Sequence, residues 1–355
     1  MREIGSEFWK PRKQHIRDDE TFYLSGRTAL DVIVRDAMEF YGITSVLLPS
    51  YCCHTMIEPF LTNGIKLHFY DVYVDDDGVL TADIPVPRKN EMLYIMKYFG
   101  DTDLRYRGEG QNLSGWTATV EDLTHTCFSL NDDKGDNESC TTADYWFTSY
   151  RKWFGVAGIA VAGKRNGKLL EPGKGRNQAY SNLRDQAFLL KQQFMDGMHV
   201  EKQKFLDLFG KAEQFLEEDY KDFGVGYEDI YDLFCFLDGK ADVCRKRQEN
   251  AKILIDRLTG INGIKVVVDF NDDKKCPLFV PIIINNGMRD SLRKYLISKD
   301  IYCPVHWPLS DQHKGITKRA AKIYREELSL LCDHRYNADD MERIINEIHK
   351  FLRAK

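Results

Sequence analysis

The sequence predicts an α/β fold, with a largely parallel sheet between helices and a smaller α/β unit after it. Three observations carry this. Between residues 25 and 165, segments with apolar residues at helical spacing alternate with short apolar runs bounded by turn residues, as in a sheet whose strands are joined through helices. The strand-like runs are apolar enough to be covered on both faces. The last hundred residues hold two further apolar runs with helical patterns around them.

In chain order, "ALDVIVRDAMEF" (29–40) is the first helix. "SVLLP" (45–49), "IKLHFYDV" (65–72), "EMLYIMKYFG" (91–100) and "ATVED" (118–122) read as strands, and "GIAVAG" (158–163) as a buried one. Polar residues gather at the strand exits, at Ser50, Asp71 and Asp122, where parallel sheets hold ligands. Residues 181 to about 255 are mostly helical and charged. "GIKVVVDF" (263–270) and "LFVPIIIN" (278–285) open the smaller unit. A helix (288–299), the segment "IYCPVHWPLSD" (301–311) and an amphipathic helix (338–352) complete it. A cleft between the two units is a natural pocket.

Length and composition narrow the function. A chain of 355 residues suggests about two domains. It is 43% hydrophobic and 30% charged with a formal net charge of −5, which makes no electrostatic case for nucleic acid or an anionic membrane. No apolar run reaches the ~18–20 residues of a membrane span, and the charged first twenty residues do not read as a signal peptide; a cytoplasmic location is expected. The nine cysteines include no CxxC pair, so reduced thiols are expected and a metal site is not.

Four constellations bear on chemistry. "YLSGRTALDVIV" sets Ser25, Gly26, Arg27 and Thr28 ahead of a helix; this reads either as an N-cap or as an anion site at a helix start. "GIAVAGKR" mimics a nucleotide P-loop, but Arg165 stands where Ser or Thr must meet magnesium, and the intervening residues read as a strand. In "TATVEDLTHT", Asp122 ends a strand and His125 follows three residues on. "FTSYRKWFGVAG" places Ser149 three residues before Lys152, with Trp153 and Phe154 next. A carboxylate at a strand end paired with a buried amine on a later strand suits a pyridine ring that needs the acid at its nitrogen and the amine at its aldehyde.

"SGRTAL", "LLPSY", "FYDV", "YFGD", "VEDLTH" and "SYRK", in that order, resemble the DegT/StrS (DegT/DnrJ-type) sugar aminotransferases, fold-type-I enzymes that use pyridoxal 5'-phosphate. "RQENAKIL", "IYCPVHWP" and "LSLLCDHRYNADDMERI" resemble the family's arginine/asparagine helix, histidine-containing strand and closing helix. The resemblance implies a mostly parallel seven-stranded sheet in a large domain (1–234, including an N-terminal segment and connecting helices) and a small C-terminal α/β domain (235–355). It implies Lys152 as the Schiff-base lysine, in a dry aromatic pocket, and Asp122 as partner of the pyridine nitrogen. His125 is implied near the ring and its phenolic oxygen. Ser149, with Gly26, Arg27 and Thr28 largely through backbone amides, is implied at the phosphate. Asn177, in "GRNQAYSNL", is implied to reach the phosphate of the neighbouring subunit in a homodimer. His306 and Trp307 are candidate substrate contacts, with His334 and Arg335 less specific ones. Arg151 is expected to point away.

The sequence departs from the family at three places. Cys53 stands where an aromatic usually covers the ring, which leaves Tyr51, His54 or Cys53 itself for that role. The strand after the lysine reads "GVAGIAVAG", without the family's usual glycine and acidic residues. The stretch from about Phe205 to Phe234 differs too. The implied activity is transfer of an amino group from an amino acid, glutamate being the common donor, to a keto-sugar, nucleotide-linked or free. A dehydratase, an aldolase, a cysteine desulfurase using Cys303 or Cys332, and a non-catalytic binding protein on the same fold stand as alternatives.

Overall fold

The computed structural model describes residues 19–100, 105–129, 141–268, 270, 274–285 and 287–354; most of the expected N-terminal segment lies outside them. The described chain starts with β1 (Thr21–Tyr23) and α1 (Gly26–Tyr41). Ser25 caps α1, its hydroxyl accepting the Thr28 amide at 3.2 Å, and Gly42 closes it at φ 64°. Leu30, Ile33, Val34 and Ala37, at helical spacing, go into the core.

There follow β2 (Ser45–Pro49), α2 (His54–Thr62), β3 (Lys66–Val74), β4 (Leu80–Asp83), β5 (Glu91–Met96), β6 (Arg105–Arg107), β7 (Ala118–Asp122), β8 (Tyr145–Ser149) and β9 (Ala160–Lys164). With β1 they form one sheet in the order β1-β9-β8-β7-β5-β2-β3-β4-β6. From β8 to β3 neighbouring strands are parallel, and every residue of β2, β5, β7 and β8 is buried. This fits their unbroken apolar character. The sheet is wider than the expected seven strands, because β4 and β6 extend it beyond β3. Asp75 builds that extension: Oδ1 accepts the Val79 amide at 2.9 Å, turning the chain back, and Oδ2 draws in Arg105.

The middle of the chain is helical, as expected, with β10 (Lys174–Arg176), α3 (Gln178–Met195), α4 (Lys202–Glu218), β11 (Phe223–Gly224), α5 (Tyr227–Asp238) and α6 (Lys240–Leu258). The expected domain boundary at 234/235 falls inside α5. Next come β12 (Ile264–Val266), β13 (Phe279–Ile284), α7 (Arg289–Ile297), α8 (Lys318–Glu326), β14 (Glu327–Leu331) and α9 (Ala338–Arg353). β12, β13 and β14 form an antiparallel sheet. Leu254, Leu258, Ile282, Leu292, Leu330 and Ile345 are part of its core. The histidine-containing segment 301–311 is not a strand. Pro304 and Pro308 remove ladder donors from it, and β14 takes the third place instead.

The two sheets meet beyond the end of β5. The Leu278 amide donates to the Phe99 carbonyl at 2.8 Å. Ser129 Oγ donates to the Gly100 carbonyl at 2.6 Å and accepts the Cys276 amide at 2.9 Å. Gly100 sits at φ 95°, and a Cβ there would lie 2.1 Å from the Cys276 carbonyl oxygen. Gly100→Ala is therefore expected to cost about 2 kcal/mol or more of stability, read as a lower urea midpoint. A midpoint equal to that of the unaltered chain would show that this junction is pliant.

Candidate active site

The parallel strands deliver their C-terminal ends to one cavity of about 300 Å³. Its walls come from the start of α1 (Ser25, Gly26, Arg27), the start of α2 (Cys53, Thr55, Met56), Met96 at the end of β5, Asp122 with Thr124 and His125 after β7, and Ser149, Arg151 and Lys152 after β8. Glu213 and Leu216 of α4, and Trp307, close it. One end is thus the helix start with Ser149, Arg151 and α4; the other is Asp122, His125 and Trp307.

At the helix end, α1 starts against β8: a Cβ on Gly26 would lie in ordinary contact, 3.4 Å from the Ser149 Cβ and the Phe147 ring. Ser149 makes no side-chain cap on the turn it precedes. The Arg27 guanidinium is engaged elsewhere, 2.9 Å from Glu58, 3.2 Å from the Leu216 carbonyl and over the Tyr220 ring, so only its backbone is available for an anion. Thr28 is fully buried, its hydroxyl donating to the Tyr220 carbonyl at 2.8 Å, and it does not line the cavity.

At the other end, Asp122 is buried. Tyr94 donates its hydroxyl to Oδ2 at 2.6 Å and the Thr124 amide donates to Oδ1 at 2.9 Å. Burial raises the pKa of this carboxyl, while those two bonds and the charge of Lys152 oppose the rise. His125 is fully buried; the Phe99 amide donates to its Nδ1 at 3.4 Å, and Nε2 has no partner. An accepting Nδ1 places the ring proton on Nε2. Burial, with Lys152 and His306 adding to it, holds this imidazole well below the ordinary histidine range, hence neutral. The His306 ring meets it edge-on at 5.5 Å and the Trp307 ring lies 5.7 Å away.

Several expectations are corrected. Lys152 lines the cavity but is exposed, not enclosed by aromatics. It ends a 3₁₀ turn, Tyr150–Lys152, while Trp153 turns inward against Phe128 and donates to the Thr124 carbonyl at 2.9 Å, and Phe154 stacks on Phe236. Arg151, expected to point away, faces the cavity beside Lys152 with Nη2 2.5 Å from Glu213. His306 does not line the cavity: its Nδ1 bonds Ser329 Oγ at 2.8 Å and its amide donates to Glu327 at 2.8 Å. Arg335 is paired with Asp333 through two 2.8 Å bonds.

Tyr51 is buried among Tyr98, Trp307 and Tyr324, and His54 is exposed. Neither lines the cavity, whereas Cys53 does. Asn177 caps α3, accepting the Tyr180 amide at 3.1 Å, away from its own chain's cavity. Of the expected strand exits Ser50, Asp71 and Asp122, only Asp122 lines the cavity. Ser50 accepts the Val72 amide at 2.8 Å, and Asp71 is held by Arg319 at 2.9 Å. Cys303 and Cys332 are buried outside the cavity, their thiols pushed up to about 12 by burial. No helix among the described residues is long and apolar enough to cross a membrane.

The fold has counterparts among solved structures. PseC of Helicobacter pylori, an aminotransferase involved in the biosynthesis of pseudoaminic acid, superposes with a TM-score of 0.61 at 13% identity, over 95% of this chain and 87% of that one. A DegT DnrJ EryC1 StrS aminotransferase from Brucella abortus gives 0.60 at 15%, over 94% and 85%. A Streptococcus pneumoniae protein solved in PLP- and PMP-forms gives 0.61 at 12%, over 92% and 85%. The chain has the fold-type-I architecture of these aminotransferases. No protein-family model and no curated protein matches the sequence, so the likeness is one of fold.

The neutral, buried His125 makes a pH prediction. Its pKa is lower folded than unfolded, so the folded chain binds the proton less well. Its stability contribution is present above the ordinary value of about 6.5 and is lost as pH falls below it, by up to about 1.4 kcal/mol per pH unit. His125→Gln should flatten the fall in urea midpoint between about pH 6.5 and 5, leaving a residual slope from His313 and His334, which are shifted the same way. An unchanged slope would mean that His125 titrates freely in the folded chain.

Proposed function

We propose that the chain is a pyridoxal-phosphate-dependent aminotransferase moving an amino group from an amino acid to a keto-sugar. The observation that carries this is the meeting of Lys152, Asp122, His125, Ser149 and the first turn of α1 on one cavity. The cofactor fits the groups present. The unpartnered Nε2 of His125 is a donor suited to the phenolic oxygen. The first amides of α1 and the Ser149 hydroxyl suit the phosphate, and Asp122 suits the protonated ring nitrogen.

Pyridoxal phosphate supplies an aldehyde that amines attack and a ring that accepts electron density. Lys152 Nζ, at the cavity wall, is the amine for the aldehyde and the base that takes a proton from the donor's α-carbon. Asp122 keeps a proton on the ring nitrogen. Buried with two donors fixed on it, its carboxylate interacts strongly with a cation placed beside it. Phe147, Leu30 and Met56 line the cavity with apolar atoms that exclude water, and Cys53, the one of the three candidates on the wall, would be the residue to cover the cofactor's ring.

Glutamate is the proposed donor, and Trp307 the proposed contact for the acceptor sugar, nucleotide-linked or free. We read residues 1–234 as the cofactor-holding domain and 235–355 as the smaller one, in a cytoplasmic homodimer whose Asn177 side chains each reach across to the other chain's phosphate. Retention of Lys152 disfavours a dehydratase, and the burial of Cys303 and Cys332 outside the cavity disfavours a desulfurase built on either.

Borohydride reduction of the protein mixed with pyridoxal phosphate is expected to leave a pyridoxyl group on Lys152, located by mass spectrometry. Lys152→Ala should lower glutamate-dependent transfer at least about 10³-fold, and Asp122→Asn should slow both half-reactions about 10²-fold or more. A label on another lysine, or full turnover by the Lys152→Ala protein, overturns the reading.

A further inference from the structure

Resting on that reading, we infer that Arg151 is the cation for the cofactor's phosphate, and that Glu213 is the internal anion it leaves to bind it. The inference starts from a charge count. A phosphomonoester carries about −1.5 to −2 charges at neutral pH, and a helix start offers the equivalent of about +0.5. A further positive charge is needed at that end of the cavity. The cationic side chains on the wall are Arg27, Arg151 and Lys152. Arg27 is spent on Glu58 and the Leu216 carbonyl. Lys152 acts on Asp122 and His125, at the other end. Arg151 remains, two residues after Ser149, whose Cβ lies at Gly26.

Arg151 is built to change partner. Its Nη2 is 2.5 Å from Glu213 Oε1, and the same oxygen takes Arg184 Nη1 at 3.2 Å. Two guanidinium groups thus share one carboxylate, an excess of one positive charge. When Arg151 turns to a phosphate, Arg184 keeps Glu213 paired, so no charge is stranded in this half-buried place. The Arg151 and Arg184 side chains are 18% and 12% exposed, a setting in which a charge-assisted bond is worth more than at an open surface. Glu213 lies on α4, within the stretch where this chain departs from the resembled family, so the device is its own.

The test is titration of the cofactor-free chain with pyridoxal phosphate and, separately, with pyridoxal, which lacks the phosphate. Arg151→Gln should weaken pyridoxal phosphate binding about tenfold or more, the size of one charge-assisted bond, and leave pyridoxal binding unchanged. Glu213→Gln should tighten pyridoxal phosphate binding several-fold, a gain that a merely structural ion pair does not yield. Arg151→Gln losing equally on both ligands, or on neither, overturns the inference and leaves the cofactor assignment intact. Weaker pyridoxal phosphate binding by Glu213→Gln overturns it too. An unaltered chain that binds neither ligand removes the underlying reading and this inference with it.

Discussion

A carboxylate shut away from water at the end of a central strand is the constraint on which the site is built. Burying an isolated charge is costly, and Asp122 is tolerable where it is because Tyr94 and the Thr124 amide both donate to it. Those donors exist only if β5 and β7 are in register, with Met96 opposite Asp122, and if the chain turns sharply after β7. The cost of getting either wrong is an unpaired buried charge. Polar satisfaction at this one residue therefore ties the geometry of the site to the pairing of the sheet.

Around that acid the cavity has two electrostatic ends. One has a buried acid, a neutral imidazole with an unused donor, and an exposed amine whose charge is felt by both. The other has a helix start, a serine hydroxyl that caps no turn, and an arginine paired with a carboxylate of α4. Parallel topology accounts for this layout. Strands all pointing one way bring their exits together, and helix starts come with them, so donors and acids gather on one edge of the sheet.

Much of this was legible locally. The alternation of periods announced the sheet, the Ser25 to Thr28 run announced a helix start, Asp122 marked a strand exit, and His125, Ser149 and Lys152 stood out in the motifs around it. What escaped depended on contacts made at long range or on a change of backbone geometry. Arg151, as the neighbour of Lys152, was expected to point away from the site. The backbone instead enters a 3₁₀ turn at Tyr150, in which successive side chains are about a third of a turn apart, so Arg151 and Lys152 share the cavity. Glu213 sits on a charged helix and looks like any solvated residue until Arg151 and Arg184 are placed beside it. His306 sits in a segment that faces the cavity through Trp307, but Ser329 and Glu327 of β14, more than twenty residues on, claim its polar atoms. That β14 is a strand at all was hidden by two polar residues, Glu327 and Ser329, buried within it.

The cavity wall draws on residues from Ser25 to Trp307, and this bears on the order in which the protein comes into being. Contacts so far apart in sequence close late, because the loops between them must be ordered first. During synthesis the sheet, the capped first helix and Asp122 can all be in place while the indole is still to be made. The wall is complete only after some three hundred residues have been joined and the antiparallel sheet has docked. Any molecule gripped by the whole wall is therefore a late arrival, captured only once Trp307 and the sheet around it are in place.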